Sequence, residues 1–221
     1  MSALLSSHPA ISGYGETHIQ YRTAADLRHL RSKVLARKRR FPRLGCERYI
    51  LGKVLHSSLT TGVSSAFWLS GKVRPVFLVR EPGGTVRSMF RSLGHSESAV
   101  RAYYLNRLPE LAENLRSIST VLQPMVITYT DLTTRSKETL WALQEYLGLT
   151  QPLSETYSIT RQTGIKGVGD TSELIRSGRI LRRREISERP ASMNNGVWDE
   201  IMRAYDGFWD AVRAARVYRG G

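Results

Sequence analysis

Arg74–Leu93 reads R-P-V-F-L-V-R-E-P-G-G-T-V-R-S-M-F-R-S-L, and the fold class turns on it. Val76–Val79 is an apolar run rich in β-branched residues, too short for a helix and typical of a strand buried on both faces. It stops at Arg80-Glu81-Pro82, and Gly83-Gly84 then suit a tight turn. From Thr85 the apolar positions Val86, Met89, Phe90 and Leu93 recur at helical spacing. The stretch therefore predicts strand, turn, helix. In open parallel sheets ligands bind in the crevice outside the carboxyl ends of the strands. Arg80 stands at that point, and Ser88 falls on the first turns of the helix. A guanidinium meets two phosphate oxygens at once, and a helix N-terminus attracts anions. Two readings stay open: a phosphate grip by Arg80 and Ser88, or an arginine that caps the sheet edge by pairing with Glu81.

Working outward, 221 residues with 41% hydrophobic side chains suffice for one α/β domain over 1–221 with helices on both faces of a sheet. No apolar run reaches the roughly 18 residues of a spanning helix, and no basic-then-apolar leader opens the chain. Cys46 is the single cysteine, which excludes an internal disulfide and a cysteine-based metal site. The expectation is a cytoplasmic protein. Lys and Arg number 33 against 19 Asp and Glu, a net charge of +14 that favours polyanionic partners. No zinc-finger spacing, RNP-type aromatic motif or helix-turn-helix accompanies it, so nucleic-acid binding is the lesser alternative.

Met1–Ser7 reads as a helix ended by Pro9, and Ala10–Ile19 as a short strand around Ile11 and Tyr14. Thr23–Ala36 is a helix with Thr23 as N-cap, followed by Arg37-Lys38-Arg39-Arg40, a solvated run or an anion-steering one. Arg48–Leu55 alternates like a strand, with Lys53 and His56 near its end. A short helix spans Val63 to Leu69. Ser96–Leu122 is one long helix or two broken at Pro109, with Ala99, Tyr103, Leu108, Leu111, Leu115 and Ile118 on its apolar side. Pro124–Tyr129 is a second buried strand, after which Asp131 caps a helix reaching Leu147 and closed by Gly148. Gly164–Ile180 is glycine-rich, which lets backbone N–H groups approach a ligand. Arg182-Arg183-Arg184 follows as a solvated run. Val197–Val217 is an amphipathic helix with Trp198, Ile201, Tyr205, Phe208, Trp209 and Val212 on one side.

The stretch F-L-V-R-E-P-G-G-T-V-R-S resembles the 3′-phosphate-binding strand–loop–helix of sulfotransferases that use 3′-phosphoadenosine 5′-phosphosulfate (PAPS). Arg80 and Ser88 fall on that family's phosphate-holding positions. H-P-x-I-x(3)-G-E-T is similar to the segment after the family's phosphate loop, where the Glu before Thr receives the acceptor's proton. That implies Glu16 as the base, with His18 beside it; the residue pattern alone equally allows Glu16 to cap the next helix or pair with Arg22. V-I-T-Y-T-D-L resembles the family's V-x-Y-E-D-L segment, with Thr130 in place of Glu. Lys53 matches a [DE]-K position whose acid is here Gly52. K-G-V-G-D resembles the loop that closes over the 3′-phosphate and adenosine, giving Lys166 and Gly167. Arg176, Ser177 and Arg179 resemble its tail.

The resemblance implies a three-layer α/β/α domain with a mostly parallel central sheet, of the P-loop-containing sulfotransferase type. It implies PAPS as co-substrate, PAP as its product, no metal, and a hydroxyl or amine acceptor such as a carbohydrate, small molecule or protein tyrosine. The family's phosphosulfate loop, [RK]-x-G-[ST]-[ST]-L, has no counterpart among these residues. Met1–Ser7 aligns with the helix that follows it, so the expectation is an N-terminal truncation that omits the loop and the central strand. The alternatives are a catalytically inactive nucleotide-binding remnant and a basic polyanion-binding protein.

Overall fold

The computed structural model describes residues 1–13, 16–38, 47–54, 65–70, 73–159, 173–182 and 188–218. Tyr14, His56, Lys166, Gly167 and Arg183-Arg184 lie outside the described residues, as do Arg39-Arg40 and Cys46. The chain forms two compact units, each from separate segments: Met1–Lys72 with Ser136–Arg182, and Val73–Arg135 with Arg183–Arg219. It is a mixed α/β protein, mostly helical, with parallel strand pairing throughout its two small sheets.

In the first unit, α1 (Ser2–Ser7) leads into β1 (Ile11–Ser12), which pairs in parallel with β2 (Tyr49–Ile50). The strand expected over Arg48–Leu55 is thus two residues long. Gly13 permits the pairing to continue closely, since a Cβ there would lie 2.6 Å from Leu51 Cβ. Helix α2 (Ala24–Lys38) buries Leu30 and Val34. Asp26 in its first turn accepts from the backbone N–H of Arg22 at 2.9 Å and of Thr23 at 2.7 Å, satisfying donors at the helix entry. Those amides hold the Asp26 carboxyl below its ordinary pKa. The short α3 (Ser65–Ser70) buries Phe67 and Trp68. Helix α7 (Ser136–Leu147) buries Leu140, Leu143 and Leu147 as its periodicity predicts, and Gly148 ends it at φ +59. The Tyr49 hydroxyl donates to the Leu147 carbonyl at 2.7 Å, tying β2 to that end. A 3₁₀ turn at Glu173–Ser177 precedes an antiparallel bridge between Arg179 and Thr156.

In the second unit, β3 (Val76–Val79) and β4 (Met125–Thr128) run parallel, Val76 opposite Met125 and Val79 opposite Thr128. Tyr218 bridges the other edge of β4 through Met125. β3 is not buried on both faces: Val79 is in the core, whereas Leu78 is 42% exposed. Helix α4 (Pro82–Leu93) begins three residues earlier than the apolar period indicates, because Pro82 takes N1, where its missing N–H costs no bond. Helix α5 (Glu97–Ser119) passes through Pro109 unbroken. Its buried face is Val100, Tyr104, Leu108, Ala112, Leu115 and Ile118; Ala99 and Tyr103, expected inside, are exposed. α6 (Tyr129–Thr134) is separated from α7 at Arg135, so the helix expected to run unbroken to Leu147 is two. Asp131 is not the cap of α6. Thr128 is: its Oγ1 accepts from the Asp131 N–H at 2.9 Å and donates to the Asp131 carboxylate at 2.6 Å. Helix α8 (Asn195–Ala214) packs along α5, and Ile201, Phe208, Ala211 and Val212 join Val79, Val86, Tyr104 and Leu115 in one cluster.

Candidate functional site

Arg80 follows the last residue of β3, and continuing the Val79–Thr128 register puts it level with Tyr129, the residue after β4. Its guanidinium carbon lies 4.7 Å from the centroid of the Tyr129 ring, a cation–π arrangement. One residue on, the Glu81 carboxylate accepts from Thr130 Oγ1 at 2.7 Å. The carboxyl ends of two parallel strands are therefore joined by two neighbouring side-chain pairs, and the Arg80 side chain is exposed. Glu81 is the N-cap of α4 but gives no side-chain cap bond. The N–H groups of Gly83 and Gly84, in the first turn, have no intrahelical acceptor and lie where a helix terminus is positive. Ser88 sits in the second turn and is exposed.

A buried phenol, Tyr104, and a half-buried one, Tyr205, lie near this corner. The Tyr104 hydroxyl donates to the Pro82 carbonyl at 3.5 Å. Burial raises its pKa far above 10, so it stays a neutral donor under the first turn of α4. Tyr205 is also pushed upward, first by burial and then by the nearby Glu81 and Asp131 carboxylates, against a hydrogen bond with Trp209. Asp131 moves the other way. Burial alone would raise its pKa, but the Thr128 hydroxyl and the Arg135 guanidinium outweigh that and hold it below the ordinary value.

In the first unit, Glu16 is mostly buried, and its Oε1 accepts from Lys53 Nζ at 2.7 Å. Its Oε2 is 4.0 Å from His18 Nε2. Neither alternative partner is used: Asp26 serves the entry of α2, and Arg22 donates to Gln20. His18 has φ +52, a left-handed backbone that is uncommon outside glycine, and its side chain is exposed. The Thr17 carbonyl between them accepts from Lys33 Nζ of α2 at 2.8 Å. Beside Lys53, Gly52 is required by packing: a Cβ there would lie 2.5 Å from Tyr21 Oη and 2.9 Å from Leu30 Cδ2. That explains the glycine where the resembling family has an acid. Arg176 is exposed within the 3₁₀ turn.

The structure thus holds Arg80 with Ser88 on one strand–helix unit, and Glu16 with His18 and Lys53 on another. Tyr129 is a site residue that the local motifs do not name, because V-I-T-Y-T-D-L reads as the end of a strand and the start of a helix. Aligning the two apolar runs in parallel register would have placed it level with Arg80. Among the described residues no group of three or more His, Cys, Asp or Glu side chains is arranged to hold a metal, and no helix is long and apolar enough to cross a membrane. Comparisons with protein-family models, with curated proteins and with solved structures find no match in any of the three.

Proposed function

We propose that this chain binds a 3′-phosphorylated adenosine nucleotide at the end of β3 and serves as a PAPS-dependent sulfotransferase, moving a sulfuryl group to a hydroxyl or amine acceptor. One observation carries the reading: Arg80 leaves a parallel strand with its guanidinium over Tyr129, directly ahead of a helix that opens Pro82-Gly83-Gly84. A planar cation held against a ring and followed by a helix N-terminus suits a phosphate dianion. The finer fold assignment, a three-layer α/β/α sulfotransferase domain, draws its support from the parallel pairing of both strand pairs.

In this reading Arg80 and Ser88 hold the 3′-phosphate, while Lys166, Gly167 and Arg176 are assigned to the nucleotide by the resemblance alone. The acceptor oxygen bonds to sulfur while the sulfur–oxygen bond to the 5′-phosphate breaks, and PAP departs with the electron pair. The acceptor's proton passes to Glu16 Oε2, with Lys53 fixing Oε1 and His18 alongside. Charge is spread over the migrating group, so positioning and electrostatics govern the rate.

Calorimetric titration of PAP, with AMP and ATP as controls, tests the reading. Saturable binding of PAP, tighter than AMP and abolished in Arg80→Ala, is the expected result. Equal affinity for AMP and PAP, or undiminished binding in Arg80→Ala, overturns it. A second reading, nucleotide binding without transfer, is favoured by the 2.7 Å ion pair that already occupies one oxygen of the base. PAP binding without any conversion of PAPS to PAP in the presence of hydroxyl and amine acceptors would select it.

A further inference from the structure

We propose that helix α2 is the seat of a polyanionic acceptor, a saccharide chain bearing carboxylate or sulfate groups and free hydroxyls, and that it lays this chain beside Glu16. The role of Glu16 rests on the sulfotransferase reading; the charge surface does not. From Arg28 to the end of α2 the sequence carries five Lys or Arg residues, Arg28, Arg31, Lys33, Arg37 and Lys38, and no acid. The one acid of the helix, Asp26, is turned back onto the amides of Arg22 and Thr23. Leu30 and Val34 face the core, at 5% and 0% exposure. At about 100° per residue, the opposite arc is centred on Ala25, Ser32 and Ala36, all small and all exposed. Arg28 borders it on one side, and His29 and Lys33 border it on the other. Arg31 and Arg37, also exposed, lie on the two flanks nearer the core side.

The second border is anchored to the candidate base. Lys33 Nζ donates to the Thr17 carbonyl at 2.8 Å, and Thr17 lies between Glu16 and His18. A shallow strip with cations along both margins therefore runs up to the segment that carries the base. Such a strip concentrates a chain of fixed negative charges and orients it along the helix. A bilayer surface does not suit it, because the apolar side of α2 is already in the core and none remains to insert. Single-stranded nucleic acid is the weaker fit, because the exposed arc carries one aromatic ring, His29, where successive bases would need a row of them. A saccharide chain needs no stacking platform here and supplies the hydroxyl whose proton Glu16 would take.

The test is direct binding of a size-defined, fluorescently labelled heparin oligosaccharide to the full chain, beside a single-stranded oligonucleotide of matched charge. Wild type is expected to bind the oligosaccharide more tightly than the oligonucleotide. Replacing Arg28, Arg31 and Arg37 together by Gln is expected to weaken it about tenfold, with PAP affinity unchanged. A matched triple in the other unit, Arg91→Gln with Arg116→Gln and Arg203→Gln, is expected to leave it unaltered. Single Arg28→Gln and Arg31→Gln changes, at exposed positions where Gln is nearly as good a helix former, should each cost roughly twofold. No oligosaccharide binding by wild type, binding unaffected by the α2 changes, or tighter binding of the oligonucleotide lost through the same changes overturns the proposal. Failure of PAP to bind would remove the sulfotransferase reading alone, because the oligosaccharide readout involves no nucleotide.

Discussion

The strand that delivers Arg80 and the segment that carries Glu16 are built by different means. β3 is paired along its whole length with β4, and its last residue, Val79, belongs to a buried cluster with Val86, Met89, Tyr104, Ile201 and Phe208. Glu16 lies beyond a two-residue strand, in a stretch over 16–23 that is neither helix nor strand. Side-chain bonds hold that stretch: Lys53 to the Glu16 carboxylate and Lys33 to the Thr17 carbonyl. The position of Arg80 is thus inherited from core packing, which involves many contacts. That of Glu16 depends on a few polar bonds near the surface, each worth little on its own. The expected consequence is that the first position fails through folding and the second through chemistry.

The largest effect should come from the packed side. Phe208 is 1% exposed at the α5–α8 contact, so Phe208→Ala should cost about 3–5 kcal/mol in urea unfolding. A loss below about 1 kcal/mol would contradict the packed origin of that unit. Next is Gly52→Asp, which restores the acid that the resembling family carries before its lysine. Tyr21 is itself buried and cannot swing clear of the new Cβ, so about 1–3 kcal/mol of destabilisation is expected. Adding Tyr21→Phe removes the 2.5 Å oxygen and should return part of it. A neutral Gly52→Asp would mean that the glycine is not there for packing.

The same contrast explains what could be read from the sequence. β3 and β4 were legible because each is a short apolar run bounded by polar or proline residues, and the long amphipathic helices declared themselves by period. The start of α4 was misplaced because Pro82-Gly83-Gly84 has the composition of a turn, yet Pro is well suited to N1. Leu108, Leu115 and Ile118 of α5 are inside as expected, whereas Ala99 and Tyr103 give way to Val100 and Tyr104, since the two tyrosines are equally apolar and only the partner helix decides which goes inside. At the site, Arg80, Ser88 and Glu16 were nameable from local motifs. The Arg80–Tyr129 stacking and the Lys53–Glu16 pair were not, because each joins residues far apart in the chain and neither partner's local motif names the other.

A middle-sized effect is expected at the junction of β4 and α6. Thr128→Ala removes the N-cap and should cost about 1 kcal/mol by urea unfolding. It should also change the acid limb of stability. The folded Asp131 carboxyl has a lowered pKa, so its contribution is present above the ordinary value of 3.8 and is lost as pH falls through the folded one. Thr128→Ala removes one of the two partners responsible, so the variant should lose less stability than wild type between neutral pH and pH values below 3.8. An acid limb identical to that of wild type would show that the Thr128 hydroxyl does not depress Asp131.

The smallest change in stability is expected where the chemistry is most exposed to loss. Glu16→Gln keeps a carbonyl oxygen for Lys53 Nζ to donate to, and Lys53 is about one-third exposed, so water screens what charge is left unmatched. The cost to folding should be under about 1 kcal/mol. Binding of PAP should be untouched, because the change lies outside the strand–helix that holds Arg80. Turnover should nonetheless fall about 100-fold, the usual contribution of a positioned base, since an amide cannot accept the acceptor's proton. Measuring unfolding, PAP titration and PAPS turnover on this one variant separates the roles a carboxylate can have here. Loss of stability with unchanged turnover would make Glu16 a structural partner of Lys53. The opposite pattern assigns the proton to Glu16, and it is the pattern that a residue held by polar bonds rather than by packing should give.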